Sequence, residues 1–103
     1  MRLYHNPRCS KSRQAVQSLR ELNIDFEEHR YLELGILETD ITILANTPGI
    51  IRSNEVNEDE VGRSPIDLLR DNPKLLQRPV LIHNGNAVIG RPVELILRYL
   101  QEN

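Results

Sequence analysis

Residues 2–31, RLYHNPRCSKSRQAVQSLRELNIDFEEHRY, contain two strand patterns with a helix pattern between them. Residues 2–5 predict a short strand, and the pair Asn6-Pro7 ends it, because such pairs usually mark turns. A helix is predicted from Ser10, since apolar side chains recur on one face at helical spacing: Ala15, Val16, Leu19 and Leu22. Residues 24–31 alternate in polarity and predict a second strand. This order predicts a βαβ unit with two parallel strands.

The last third of the chain predicts two antiparallel strands followed by a helix. Pro79–His83 is rich in strand-forming residues, Asn84-Gly85-Asn86 is a strong turn signal, and Ala87–Gly90 supplies the returning strand. Arg91-Pro92 is expected to open the final helix, with the proline at its first position. The buried face of that helix is predicted to contain Val93, Ile96, Tyr99 and Leu100.

The middle of the chain indicates short helices joined by loops. A helix is predicted from near Glu38 to Asn46, and a short helical turn is predicted at Ile50–Arg52. The acidic segment Glu55–Glu60 is interpreted as a solvated connector. Ser64 and Pro65 suit the N-cap and the first position of a further helix.

Together these elements predict an α/β protein with the order βαβ, helical insert, ββα. A four-stranded mixed sheet with helices on its faces is the thioredoxin- or glutaredoxin-like arrangement. We expect one domain over residues 1–103, with the helical insert at about residues 34–77.

Composition and charge argue against several classes of function. The formal net charge of −2 provides no overall basic character for nucleic-acid binding, so any anion site must be local. No stretch approaches the roughly 20 apolar residues of a membrane span, and the first residues lack a secretory-signal pattern. One cysteine and three scattered histidines offer no metal-ligand spacing. We expect a cytoplasmic protein, monomeric, without a metal site.

Cys9 is the candidate catalytic residue. It is the only cysteine, and it lies at or just before the first turn of the predicted helix. Unpaired N–H groups and a partial positive charge at a helix N-terminus favour a thiolate. Such positions lower the pKa of cysteine from about 8.5 to roughly 3.5–7.5. The neighbouring Arg8, Lys11 and Arg13 act in the same direction. The alternative is a small buried hydrophobe without reactivity.

Ser12 and His5 are candidates for stabilising the thiolate. Ser12 lies one helical turn after Cys9, so its hydroxyl could donate a hydrogen bond to the sulfur. His5 ends the first strand on the same side and could lend charge or donate a hydrogen bond. Equally, Ser12 could be an ordinary first-turn serine and His5 a strand residue packed against the helix. Ser12 occupies the place of the second cysteine in a thioredoxin-style Cys-x-x-Cys motif. Thiol–disulfide exchange at Cys9 therefore needs an external thiol such as glutathione.

Several motifs resemble the ArsC family, the glutaredoxin-linked arsenate reductases and their close relatives. His5-Asn6-Pro7-Arg8-Cys9-Ser10-Lys11-Ser12-Arg13 is similar to the active-site signature of that family. The similarity continues, in order along nearly the whole chain, through Tyr31-Leu32-Glu33, Asn72-Pro73-Lys74-Leu75, Arg78-Pro79-Val80 and Gly90-Arg91-Pro92.

The resemblance implies an oxyanion site built from three arginines. Arg52, Arg78 and Arg91 are expected to surround Cys9 and to hold arsenate or its thiol adduct. The guanidinium group is always charged and presents a planar fork of donors, which suits a tetrahedral oxyanion. The resemblance also implies a cis peptide bond before Pro79, facing the reactive thiol.

The implied reaction begins with attack of the Cys9 thiolate on arsenic and loss of water or hydroxide, which leaves a covalent sulfur–arsenic adduct. Glutathione then forms a mixed adduct, arsenic is reduced by two electrons, and glutaredoxin resolves the glutathione disulfide. The arginines stabilise charge on the arsenic oxygens. No bound cofactor is expected, because glutathione acts as a cosubstrate.

Three other functions compete with this one. Phosphatase-like arsenate reductases need a Cys-x5-Arg loop and further cysteines, whereas here Arg13 is too close and no second cysteine exists. Regulators of the same fold that bind RNA polymerase usually use a Cys-x-x-Cys pair, which Ser12 removes. A glutathione-dependent monothiol oxidoreductase of unknown substrate and a thiol-sensing regulator that binds RNA polymerase stay open as alternatives, the first being favoured.

Overall fold

The computed structural model describes residues 1–102, which form an α/β structure around one four-stranded mixed sheet. The strands are β1 (Arg2–Tyr4), β2 (Glu27–His29), β3 (Val80–His83) and β4 (Asn86–Ile89), in the spatial order β2-β1-β3-β4. β1 pairs with β2 in parallel, and β3 is antiparallel to both β1 and β4. The predicted fold class is therefore confirmed.

Five α-helices surround the sheet: α1 (Ser10–Glu21), α2 (Tyr31–Leu34), α3 (Glu38–Ala45), α4 (Pro65–Asp71) and α5 (Glu94–Glu102). Short 3-10 turns occupy Ser53–Glu55, Glu58–Glu60 and Pro73–Leu75. Everything between β2 and β3 is helix, turn or loop apart from one isolated β-bridge, as the predicted insert requires. The insert begins with Tyr31, slightly earlier than predicted, because α2 follows β2 after a single residue.

The two faces of the sheet carry separate hydrophobic clusters. Successive side chains of a strand point to opposite faces, so Leu3 and Tyr4 of β1 belong to different clusters. Leu3 packs with α1 and α5, in a cluster made of Leu3, Ala15, Val16, Leu19, Leu81, Val93 and Ile96. Tyr4 packs with the insert, in a cluster made of Tyr4, Tyr31, Ile41, Leu44, Ile50, Leu69, Leu76, Val80 and Ile82.

The helix α1 confirms its predicted start and most of its predicted buried face. Ala15 and Leu19 are fully buried, but Leu22 is 56% exposed, because it caps the helix instead of continuing it. Asn23 follows at a φ of 56°, a left-handed conformation that asparagine tolerates better than most residues. The helix α4 likewise starts as predicted, with the Ser64 hydroxyl accepting a hydrogen bond from the Asp67 N–H at 3.2 Å.

The second strand is shorter than predicted, and its last predicted residue lies in a helix. β1 offers pairing positions for only three residues, Glu27–His29, so Ile24 and Phe26 pack beside the sheet without being part of it. Tyr31 starts α2, and its side chain is fully buried.

The helical turn predicted at Ile50–Arg52 is wrong. Ile51 instead forms an antiparallel bridge with Leu76, and the Gln77 N–H donates to the Ile50 carbonyl at 2.8 Å. Two consecutive β-branched residues favour this extended conformation over a helix.

The prediction that Pro92 starts the last helix is also wrong. α5 begins at Glu94, and the Pro92 carbonyl accepts from the Leu95 N–H at 3.1 Å in a tight turn that precedes the helix. Both the Arg91–Pro92 and the Arg78–Pro79 peptide bonds are cis, and the second of these was expected. Of the helices in residues 1–102, none combines the length and the apolar character that crossing a membrane would need.

Candidate active site

Strand pairing brings four separate segments to one edge of the sheet. Tyr4, the last residue of β1, pairs with His29 at the end of β2 and with Val80 at the start of β3. Val80 in turn pairs with Ile89, the last residue of β4. The residues that follow β1, β2 and β4 and those that precede β3 therefore meet at this edge. These positions are those of Cys9, Tyr31, Arg78 and Arg91.

Arg52 comes to the same place through the isolated bridge in the insert. Its backbone N–H donates to the Leu75 carbonyl at 2.7 Å, beside the bridge of Ile51 with Leu76. The bridge holds the insert against the segment that leads to Arg78, and both guanidinium groups reach the same carboxylate oxygen, Oε2 of Glu55. Both arginine side chains are largely buried, with 18% of each exposed to solvent.

Cys9 is the N-cap residue of α1 and is partly exposed. Burial raises the pKa of its thiol, but hydrogen bonds from the backbone N–H groups of Ser12 and Lys11 and from the Arg78 guanidinium outweigh it. The charge of Arg78 adds to these effects, and the net pKa lies below the ordinary value for cysteine. The arrangement therefore favours a reactive thiolate.

Arg91 is linked to Arg78 through the backbone. Its Nη1 donates to the Arg78 carbonyl at 3.1 Å, while Arg91 as a residue remains exposed. The three arginines implied by the resemblance thus come from distant parts of the chain, and the structure brings them together: Arg52 and Arg78 flank one carboxylate, and Arg91 is anchored to Arg78.

That carboxylate belongs to Glu55, which the sequence had assigned to a solvated connector. The Glu55 side chain accepts a hydrogen bond from Arg52 Nε, and its Oε2 lies 3.9 Å from Nη1 of Arg78. Its hydrogen bond with Arg52 lowers the pKa of Glu55, and the charges of both arginines add to this effect. Arg52 precedes the 3-10 turn that Glu55 ends, so the chain's own carboxylate is placed between two arginines.

The hydroxyl of Ser12 was predicted to donate a hydrogen bond to the Cys9 sulfur, but its partners are His5 and Asn6. Ser12 is fully buried, and its Oγ lies 2.7 Å from Nδ1 of His5 while accepting from the Asn6 N–H at 2.9 Å. The contribution of Ser12 to the Cys9 thiolate comes from its backbone N–H. The hydroxyl instead holds the turn before Cys9 in place.

His5 is buried, and its two ring nitrogens contact Ser12 and Glu28. Its Nε2 lies 3.2 Å from Oε1 of Glu28, so a neutral ring donates there from Nε2 and accepts at Nδ1 from the Ser12 hydroxyl. Burial lowers the pKa of His5, and the charges of Arg30, Arg20 and Arg13 add to this effect, while Glu28 opposes it. His5 is therefore a positioning residue that orients Ser12. No pattern in the sequence pointed to Glu28 as a partner of His5.

Tyr31 also lies at this edge of the sheet, and no functional role was predicted for it from the sequence. It belongs to a motif of the family resemblance and was predicted only as the last residue of the second strand. The side chain is fully buried, and its hydroxyl has no hydrogen-bond partner among residues 1–102. Burial raises the pKa of Tyr31 to about 12, so the phenol stays protonated.

A groove of about 390 Å³ opens beside the turn that carries Cys9. Its walls combine apolar surface with two guanidinium groups and one carboxylate, and they consist of His5, Asn6, Pro7, Arg8, Arg30, Leu32 and Glu33. Arg8 and Arg30 supply the positive charges, and Glu33 supplies the negative one. The groove can therefore receive a small zwitterionic molecule beside the turn that leads to Cys9.

Comparison with known proteins places this site in a family. The family model described as "ArsC family" matches residues 4–99. An arsenate reductase of Neisseria meningitidis is 36% identical over 110 residues, which cover 93% of this chain and 94% of that protein. The uncharacterized protein YfgD of Escherichia coli is 32% identical over 111 residues, covering 94% of this chain and 93% of that one.

Solved structures agree with the sequence comparison. The structure of an arsenate reductase from Vibrio cholerae superposes with a TM-score of 0.78 at 30% identity, covering 95% of this chain and 97% of the other. The expected thioredoxin-like fold is confirmed by this neighbour. Fold, motif order and the gathered cysteine and arginines agree: the chain belongs to the ArsC family.

Proposed function

We propose that this chain is an arsenate reductase that works through a Cys9 thiolate, with glutathione as cosubstrate and glutaredoxin as partner. One observation carries the proposal: Cys9 caps a helix beside Arg78, which lowers the pKa of its thiol, while Arg52 and Arg91 join Arg78 from distant segments. A nucleophile beside clustered guanidinium groups suits attack on a tetrahedral oxyanion. The names of the Neisseria and Vibrio relatives support arsenate as that oxyanion.

In the first step arsenate enters the arginine cluster and displaces the carboxylate of Glu55. The Cys9 sulfur forms a bond to arsenic, one arsenic–oxygen bond breaks, and the released hydroxide leaves as water after taking a proton from solvent. Arg78 serves this step twice, because it stabilises the thiolate before attack and the oxyanion charge afterwards.

In the second step the thiol of glutathione replaces another arsenic oxygen. A glutaredoxin thiol then attacks the glutathione sulfur and forms a disulfide, and the electron pair of the sulfur–arsenic bond passes to arsenic, which becomes As(III). Water releases arsenite from Cys9. An external thiol is needed because Ser12 stands where a resolving cysteine would be.

The groove beside the Cys9 turn supports the glutathione part of the proposal. Glutathione carries two carboxylates and one ammonium group, and the groove offers two guanidinium groups, of Arg8 and Arg30, and the carboxylate of Glu33. This complementarity would hold the tripeptide with its thiol near Cys9. The cytoplasm, where glutathione is kept reduced, is the compartment in which we propose that the protein works.

The test is arsenate-dependent oxidation of glutathione in the presence of glutaredoxin. We expect turnover with the natural chain and none with Cys9→Ser, since the hydroxyl of serine is not ionised at neutral pH. A reaction without arsenate gives the background, and Ser18→Ala serves as a matched control on α1, because it changes one atom outside the site. Normal turnover by Cys9→Ser would contradict the mechanism.

A monothiol oxidoreductase of another substrate would give a different result. It would reduce a glutathionylated peptide in the same assay without arsenate, and added arsenate would change nothing. Turnover that requires arsenate therefore separates the two functions.

A further inference from the structure

The candidate site contains two buried polar groups that lack partners. Within residues 1–102, the Tyr31 hydroxyl and Nε of Arg78 are the buried side-chain polar atoms without a hydrogen bond. Buried polar groups in folded proteins are almost always paired, so each exception needs an explanation. Both exceptions here lie at the same edge of the sheet, which points to a ligand that completes them.

Tyr31 lies at the same end of the sheet as the groups that form the site. It is the first residue of α2, directly beyond the end of β2, and its side chain is fully buried. Its phenol interacts electrostatically with Arg78 and Cys9, and also with Arg52 and Glu55. Because these residues come from separate segments that meet at this end of the sheet, the buried hydroxyl belongs to the same group of side chains.

We infer that Tyr31 is a further oxyanion-binding residue, whose hydroxyl donates a hydrogen bond to one oxygen of the tetrahedral anion, with Arg78 Nε donating to the same anion. This inference rests on the proposed function and deepens it, since it adds a neutral donor to the three arginines. A phenol buried in this way keeps its proton across the neutral range, so it acts as a donor only.

A preorganised donor at this position would assist the reaction as well as binding. Negative charge builds on the arsenic oxygens when the thiolate attacks, and a fixed donor in a buried site stabilises that charge without having to reorient. The ring of Tyr31 is held by the core cluster around Tyr4, whose ring centroid is 6.2 Å away. The donor is therefore rigid.

The test is Tyr31→Phe, which removes the hydroxyl and keeps the ring. Calorimetry without glutathione measures the affinity for arsenate and for phosphate, an anion of the same shape that the thiolate does not reduce. We expect both affinities to fall on the order of 10- to 100-fold, because a hydrogen bond to a charged group is lost. Because the hydroxyl has no partner in the chain, the midpoint of thermal unfolding should stay the same or rise.

Tyr99→Phe is the control, since its hydroxyl donates to the His83 carbonyl at 3.0 Å at the opposite end of β3. It should leave oxyanion affinity unchanged. The inference is overturned if Tyr31→Phe binds both anions like the natural chain, or if it unfolds more readily, which would indicate a structural hydroxyl.

The same comparison separates this inference from the proposed function. A natural chain that binds phosphate and arsenate but reduces no arsenate would contradict the function, and the Tyr31→Phe affinities would still decide the role of the donor. A natural chain that binds neither anion would contradict the inference directly.

Discussion

Glu55 forms an ion pair with Arg52 inside the cluster that we propose to bind the oxyanion. The same carboxylate lies 3.9 Å from Nη1 of Arg78, so it occupies a position that an anionic substrate would need. The chain therefore supplies an internal competitor for the proposed oxyanion. This competitor also keeps two like-charged guanidinium groups compensated while the site is empty.

Glu55→Gln is therefore expected to tighten oxyanion binding. The amide keeps the size of the side chain but removes the charge that competes for Arg52 and Arg78. Exposed ion pairs are weak, so we expect a gain of about two- to fivefold in phosphate affinity at pH 7, measured by calorimetry. Glu58→Gln, in the next turn of the same acidic segment, should have no such effect. Weaker binding by Glu55→Gln would show that the carboxylate assists the ligand.

The sequence predicted the fold well because local signals agreed with the tertiary structure. The helix pattern of α1, the turn at Asn84-Gly85 and the cap at Ser64 each depend on nearby residues and appear where predicted, although Asn86, predicted in the turn, already begins β4. The errors lie where distant partners decide. Ile51 is extended because Leu76 pairs with it, and α5 starts late because a turn through Pro92 precedes it.

The residues of the candidate site likewise fall into those that the sequence could predict and those that it could not. Cys9 could be identified from its place before a helix, and the arginines from a family resemblance that spans the chain. Glu55, Glu28 and Tyr31 could not be found, since their importance comes from the neighbours that folding gives them: Arg52 and Arg78, His5, and a closed core. Sequence spacing correctly indicated that Ser12 stabilises the Cys9 thiolate, but the group that does so is its backbone N–H. The hydroxyl is instead hydrogen-bonded to His5.

The reactivity of Cys9 should depend on pH in a way that reports on Arg78. Hydrogen bonding and charge from Arg78 favour the thiolate, so the pKa of Cys9 lies below the ordinary value. The rate of alkylation by iodoacetamide should therefore rise with pH around a midpoint below that of a free cysteine, about 8.5. In Arg78→Gln the thiolate loses this support, so the midpoint should move to higher pH.

Arg98→Gln provides the control for that profile, since it removes an exposed arginine of α5 that makes no ion pair among the described residues. Its midpoint should match that of the natural chain. Equal midpoints for Arg78→Gln and the natural chain would show that the helix N-terminus alone lowers the pKa.

Ser12→Ala should reduce stability more than it affects the thiol. The substitution leaves the Asn6 N–H and Nδ1 of His5 without their buried partner, which costs on the order of 1–3 kcal/mol in the free energy of unfolding. The backbone N–H that acts on Cys9 is retained, so the alkylation midpoint should change little. Urea denaturation measures the first effect, and Ser18→Ala gives the reference. A large shift in the alkylation midpoint of Cys9 with unchanged stability would show instead that the Ser12 hydroxyl stabilises the thiolate directly.

A substitution at Gly90 tests whether tight core packing around Pro79 holds Arg78 in position. A Cβ added there would lie 2.5 Å from Cδ1 of Ile96 and 3.0 Å from Cγ of Pro79, the residue that follows Arg78. Both neighbours are buried, so Gly90→Ala should lower the free energy of unfolding by about 1–3 kcal/mol through overpacking. Ile96→Val removes the Cδ1 methyl and, alone, should cost roughly 0.5–1.5 kcal/mol.

The double variant then decides whether the clash with Ile96 is the cause. Without Cδ1 the new methyl group meets only the contacts at 3.0 Å and 3.3 Å, so Gly90→Ala should cost less in the Ile96→Val background than in the natural chain. If the losses in the free energy of unfolding of the two single variants simply add in the double variant, the clash with Pro79 is the cause instead. Displacement of Pro79 would also move Arg78, the residue before it. In that case the alkylation midpoint of Cys9 should also rise in Gly90→Ala, because the guanidinium that supports the thiolate would have moved.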